Sequence, residues 1–171
     1  MLMYDESSGS FKVSCGQIRV SDPCYEKDSD SGLTVDNVLN GQWFAYFDYA
    51  QTANYVARFF AVHSDYYRDA SVYDLKEIGC VGVDSGQLSM FDKVYYDENQ
   101  GGEYGELDTF YGKCCKITED KDCGVLDNVG VVSSSGYGDG SYTVCVCLNN
   151  EGCVTCVYVE FICNEDEEEE A

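Results

Sequence analysis

The chain has one proline, one histidine and one tryptophan in 171 residues, and no basic residue beyond Lys121. Each scarcity excludes something. A single imidazole leaves His63 as the one residue able to run a histidine acid–base step near neutral pH. Only 10 Lys+Arg against 32 Asp+Glu give a net charge of −22, which repels phosphate backbones and anionic bilayers. Direct nucleic-acid binding and membrane binding are therefore not expected. No apolar run reaches the length needed to cross a bilayer. Neither a nucleophile-elbow G-x-S-x-G nor a phosphate-cradling G-x-x-x-x-G-K-[ST] occurs.

What is present reads as a folding sequence. Hydrophobic residues make up 44% and aromatics 14%, with 15 Tyr and 8 Phe, which is far from the composition of a disordered acidic chain. The run 165–170 is entirely acidic and repels itself, so 164–171 is expected to be a disordered tail and 1–10 a flexible N-terminus. Removing that run still leaves −16. The body at 11–163, expected to be one globular domain, is acidic in its own right.

Apolar and β-branched alternation places strands near 11–14, 17–20, 43–49, 55–63, 78–83, 129–133, 141–148 and 153–163. Asn149-Asn150-Glu151-Gly152 reads as a hairpin turn between the last two. Residues 71–76 suit a single helical turn, and 28–32 and 97–102 suit surface loops. The best helix is 106–116, where Leu107, Phe110, Tyr111 and Cys114 recur at helical spacing. The expected fold is mainly β (α+β), a twisted antiparallel sheet or sandwich with one short helix.

Eleven cysteines, an odd number, together with no apolar leader in Met1–Ser10, point to a reducing cytoplasm rather than secretion. Packed free thiols are the simpler account, since free Cys behaves as a small hydrophobe. The alternative is zinc on Cys145, Cys147, Cys153 and Cys156, spaced C-x-C-x5-C-x2-C. That set requires Leu148 to pair with Cys153, which places Cys145 opposite Cys156; a one-residue register change undoes it.

Three polar segments follow or precede apolar strands: Ser21-Asp22-Pro23-Cys24-Tyr25, Val83-Asp84-Ser85-Gly86-Gln87, and the Ser/Gly-rich stretch 133–141. Loops at strand ends are where scaffolds present binding groups. Candidate ligand-binding residues are Asp22, Asp84, Ser85, Gln87, Ser135, Asp139, Tyr142 and His63. Asp22, Asp84 and Asp139 are hard oxygen donors suited to Mg2+ or Ca2+ if the loops converge. Each segment also has a plain reading as a turn, and His63 has one as a hydrogen-bonded structural residue.

Taken in order, these three segments, with Phe91-Asp92 and Phe110-Tyr111-Gly112-Lys113-Cys114-Cys115 among them, resemble a domain-of-unknown-function family often found in bacteriophage and prophage genomes. The resemblance spans about 11–163. It implies a small protein made in a bacterial host cytoplasm and supplies no catalytic residues. The cysteines of the final hairpin depart from the pattern, which has bulkier apolar residues there. The expected function is an acidic phage-type accessory protein that binds a basic or interface-compatible host or phage protein, with a nucleic-acid-mimicking inhibitor as a special form. The alternative is a small-ligand binder or hydrolase built on the loop aspartates. A virion-associated role has no local feature in its support.

Overall fold

The computed structural model describes residues 8–51, 54–68, 70–71 and 74–163. Among these the chain is mostly strand, in two antiparallel sheets, with two helices. In chain order the elements are β1 (Gly9–Val13), β2 (Ile18–Ser21), β3 (Leu33–Val35), β4 (Gly41–Tyr49), β5 (Val56–His63), β6 (Lys76–Val83), β7 (Gln87–Asp92), α1 (Lys93–Asn99), α2 (Phe110–Lys121), β8 (Cys123–Leu126), β9 (Gly130–Ser134), β10 (Gly140–Leu148) and β11 (Val154–Glu160). One sheet has the order β1-β4-β5-β11-β10-β6 and the other β3-β2-β7-β9-β8.

Period-two alternation sorts the side chains. On the large sheet Trp43, Ala45, Phe59, Ala61, Val144 and Val146 face the space between the sheets. They meet Ile18, Val20, Leu88, Met90 and Val131 from the small sheet. The intervening positions Phe44, Tyr46, Phe60, Val62, Cys145 and Cys147 form a second apolar layer on the outer face, packed with Tyr66, Tyr67, Ala70 and Leu75 of the β5–β6 connection. A third cluster, Phe91, Tyr96, Phe110, Cys114 and Val132, lies between the small sheet and the two helices. The sandwich thus buries apolar surface on four faces, not two. This accounts for the aromatic content without a longer chain.

The expected strands are present with ends that differ by no more than three residues, while β3, β7, β8 and α1 were not expected. β7 carries Gln87, Ser89 and Asp92 at alternate or terminal positions, so it reads as half-polar, yet all six of its residues are buried. Gln87 is covered by α2, Ser89 donates to the Ser21 carbonyl of β2, and Asp92 accepts from the Ser14 hydroxyl and the Cys15 N–H before β2, a burial that no local pattern announces. The helical turn expected at 71–76 falls partly outside the described residues, and Lys76 opens β6. Residues 9 and 10 belong to β1 rather than to a flexible end. Residues 1–7 and the acidic tail 164–171 lie outside the described residues.

The main helix starts at Phe110, later than the periodicity suggests. Thr109 is the N-cap, its hydroxyl accepting from the Gly112 N–H at 3.2 Å, so the preceding 103–109 is free to turn. Leu107, expected on the apolar stripe, is exposed outside the helix. Phe110, Cys114 and Ile117 form the stripe in its place. Two helices stand where one was expected.

Candidate functional site

Two of the connections that carry the chain from one sheet to the other lie at the same end of the sandwich. Residues 84–86 join β6 to β7, and 135–139 join β9 to β10. The β6–β10 register pairs Val83 with Gly140, and the Ser135 N–H donates to the Gly86 carbonyl at 3.0 Å. Gly86 has φ +71°, a conformation that glycine adopts without a Cβ penalty. The loop after β2 joins them through Asp22. The three segments singled out in the sequence therefore meet.

Asp22 is fully buried. Its Oδ2 accepts from the backbone N–H groups of Asp84 (2.9 Å) and Ser85 (2.7 Å). Its Oδ1 accepts from the Ser85 hydroxyl (2.6 Å) and the Cys24 N–H (2.9 Å). Four donors on two oxygens leave the carboxylate saturated. It is a staple holding the crossing between sheets, not a free ligand. The Tyr25 hydroxyl in turn donates to Asp84 Oδ2 at 2.6 Å, and burial followed by this bond pushes the Tyr25 phenol up.

This geometry corrects the cation-site reading. Asp84 and Asp139 are exposed and flank the Val83–Gly140 register pair, but the third oxygen donor is consumed inside the protein. Among the described residues no three His, Cys, Asp or Glu side chains are grouped so as to hold a metal ion. The zinc reading fails on register. A bulge between Cys147 and Leu148 sets Leu148 opposite Val154 and Cys147 opposite Cys156, while Cys145 faces Tyr158. Cys153 stays in the turn, where its N–H and carbonyl bond to Asn149, so the four thiols do not converge.

The remaining candidates divide. Ser135 donates its hydroxyl to the Gly138 carbonyl at 3.0 Å, and the Tyr142 hydroxyl donates to the carbonyls of Ser135 and Gly138. Both brace the 135–139 loop. His63 is buried at the opposite end of the large sheet, paired with Trp43 and one residue beyond Val62, itself opposite Cys156. Its Nδ1 accepts from the Asp65 N–H and its Nε2 lies 2.8 Å from the Asn40 carbonyl, where it donates. It is a hydrogen-bonded structural histidine, away from the loops.

Ser85 and Gln87 line a cleft of ≈260 Å³ against α2, opposite Tyr111, Cys115 and Glu119, with Tyr104 at its rim. Gln87 is fixed by the Thr118 hydroxyl on its Oε1 at 3.0 Å and by Cys115 Sγ, 3.4 Å from its Nε2. Sequence reasoning placed Ser85 and Gln87 but not the α2 face. The signal was Tyr111, Cys115 and Thr118, spaced i, i+4, i+7, visible only once the helix start is set at Phe110.

Around the cleft the surface is tyrosine and acid. Tyr49, Tyr55, Tyr104 and Tyr137 are 44–71% exposed. Tyr55 and Tyr137 meet edge-on with ring centroids 5.2 Å apart. The Tyr49 hydroxyl reaches Asp122 Oδ2 at 3.5 Å, and the Asp122 carbonyl accepts from the Ser134 N–H. Ser134 lines the cleft with Tyr104, so the four rings belong to one end of the molecule, interleaved with Asp84, Glu119, Asp122 and Asp139.

No family model, no curated protein and no solved structure matches this chain. Among the described residues, no helix is long and apolar enough to cross a membrane.

The phenols give a direct check on this geometry. Burial first, then the bond to Asp127, pushes Tyr95 up to about 12. Burial does the same for Tyr96, and burial with the Cys115 contact for Tyr111, each to about 12. Their unfolded value is about 10. The protonated form is favoured in the fold, so this contribution is complete below pH ~10 and is lost as pH rises toward ~12. Phenolate absorbance is expected to show a late-titrating class that appears together with alkaline unfolding. A single class titrating near pH ~10 in still-folded protein would contradict the packing described.

Proposed function

We propose that this is a small acidic accessory protein, of the phage type its segments resemble, that binds a basic protein partner through its tyrosine- and acid-rich end. The observation that carries the reading is the gathering of four exposed tyrosines at one end, within reach of Asp84, Glu119, Asp122 and Asp139. Tyrosine supplies large, rigid, amphipathic contact area and is enriched in interfaces and their energetic centres. The surrounding carboxylates steer a cationic partner and set its orientation. In the nucleic-acid-mimic form, duplex DNA competes for the same partner.

A second reading, a small-ligand binder, is favoured by the convergence of Ser85, Gln87, Tyr111 and Glu119 on one cleft. At ≈260 Å³ the cleft is below the ~300–1,000 Å³ usual for ligand pockets, and the carboxylate beside the Ser85 hydroxyl is Asp22, already taken up by four donors. Docking is the better fit.

The test is affinity capture from bacterial lysate by three proteins: the unaltered chain, the Tyr55→Ser/Tyr137→Ser double variant, and Leu148→Ser as a control at the opposite end. A protein retained by the unaltered chain and the control is expected to fall by about tenfold or more with the double variant. Its retention is also expected to weaken as salt is raised. Equal retention by all three would overturn the reading.

A further inference from the structure

The outer face of the large sheet holds a feature that the docking end does not use. Cys147 and Cys156 are direct register partners in the antiparallel β10–β11 pair. Both belong to the apolar layer beneath the β5–β6 connection. Directly opposed residues in such a pair have Cα atoms about 4.5–5.5 Å apart, inside the ~4.4–6.8 Å range that a disulfide spans. No other two cysteines among the described residues are register partners. Both thiols are buried, Cys156 fully and Cys147 to 6% exposure, and Cys147 alone of the two borders a cleft of ≈360 Å³ with Tyr66, Asp74 and Lys76.

We propose that Cys147 and Cys156 form a thiol–disulfide exchange site for a low-molecular-weight disulfide such as oxidised glutathione, with Cys147 the attacking thiol and Cys156 the resolving one. In the first step the Cys147 thiolate attacks one sulfur of the small disulfide, forms a mixed disulfide and expels the other half as a thiolate. In the second, Cys156 gives its proton to that thiolate and attacks Cys147 Sγ, expelling the remaining half as a thiolate, which takes up the proton that Cys147 lost to solvent on ionising. Two cysteine thiols are oxidised to one disulfide, and one small disulfide is reduced to two thiols. The assignment of roles follows access and hydrogen bonding. The Cys147 thiol is held below its usual range by the hydrogen bond it receives from Cys156, and it also lies 3.8 Å from the Ser71 carbonyl. The Cys156 thiol is pushed up by donating that bond and by burial. Attack by the more acidic, cleft-facing thiol and resolution by the buried one is the order that thiol exchange favours.

The experiment treats the reduced, folded full chain with oxidised glutathione, blocks the remaining thiols, and maps linkages by mass spectrometry. Glu151 lies between the two cysteines, so cleavage there leaves the fragments joined only through the bond, and fragmentation separates a Cys147–Cys156 link from a Cys145–Cys153 link. A mass loss of about 2 Da with the Cys147–Cys156 link dominant is expected. Cys156→Ala is expected to accumulate a glutathione adduct on Cys147, and Cys147→Ser to place none on Cys156. Links scattered over the other cysteines would overturn the proposal, as would a Cys147 adduct no greater than that on exposed Cys15 or Cys80. The mapping on the unaltered chain decides the matter even where a variant does not fold.

Discussion

Asp22→Ala is expected to lower the unfolding free energy by about 3–5 kcal/mol. The substitution strips partners from two backbone N–H groups of the β6–β7 crossing, from the Cys24 N–H and from the Ser85 hydroxyl. Each buried donor left unpaired costs about 1–3 kcal/mol, less where water reaches it, so the sum falls short of four full penalties. Asp22→Asn is the informative companion. Its carbonyl oxygen can keep the two bonds from Asp84 and Ser85, while its NH2 opposes the Cys24 N–H, so an intermediate loss is expected. Urea denaturation reads both variants as a shift in midpoint at unchanged slope. A loss below ~1 kcal/mol for the alanine variant would show that the loops hold together without the staple. Because those loops present Asp84 and Tyr25, the variant also tests whether the docking end depends on this one carboxylate.

Gly130→Ala is the second large effect. Gly130 sits opposite Phe91 in the β7–β9 pair, and a Cβ there would lie 2.1 Å from the Phe91 ring. That ring is fully buried, with centroids 5.0 Å from Phe110 and 5.9 Å from Tyr95. It has no free space to move into. Overpacking of this kind costs about 2–3 kcal/mol, and near-UV circular dichroism should change because the displaced ring stacks on other aromatics. The double variant Gly130→Ala/Phe91→Ala separates this mechanism from a simple strand effect. Removing the ring removes the clash, so the two losses should combine to clearly less than their sum. Additive losses would place the cost elsewhere in β9.

The last hairpin shows what local pattern can carry. Alternation from Thr143 to Leu148 put Val144 and Val146 on one face and Cys145 and Cys147 on the other, and the structure places them so. The register was not legible. Leu148 pairs with Val154 rather than Cys153, and the bulge at Cys147/Leu148 adds a second one-residue shift, so Cys156 lies opposite Cys147 instead of Cys145; the four-thiol set is lost and a facing pair takes its place. A bulge is selected by how both strands pack, and neither strand encodes it alone. The main helix tells a similar story. Its apolar spacing was visible, but its start was decided by the Thr109 cap and the turn before it, and with the start went the identity of the α2 residues that line the cleft.

Asp22, Asp84 and Ser85 stand out in the sequence as loop candidates, but nothing in it places them together. Oxygen-rich loops after strands suggest a ligand site. Whether those oxygens face solvent or backbone N–H groups depends on strand order, and here the β6–β7 crossing brings donors to Asp22 from residues 62 and 63 positions away. His63 went the other way, its register placing it at the far end.

The scarcity of basic residues, the period-two alternation and the acidic balance were enough to determine a β-rich, anionic chain. These are local or summed properties, readable without knowing what touches what. The tertiary structure alone decided that Asp22 is a staple, that four tyrosines share an end and that two cysteines face each other. Each of those depends on pairing between distant strands, where register and strand order are settled by packing on several faces at once.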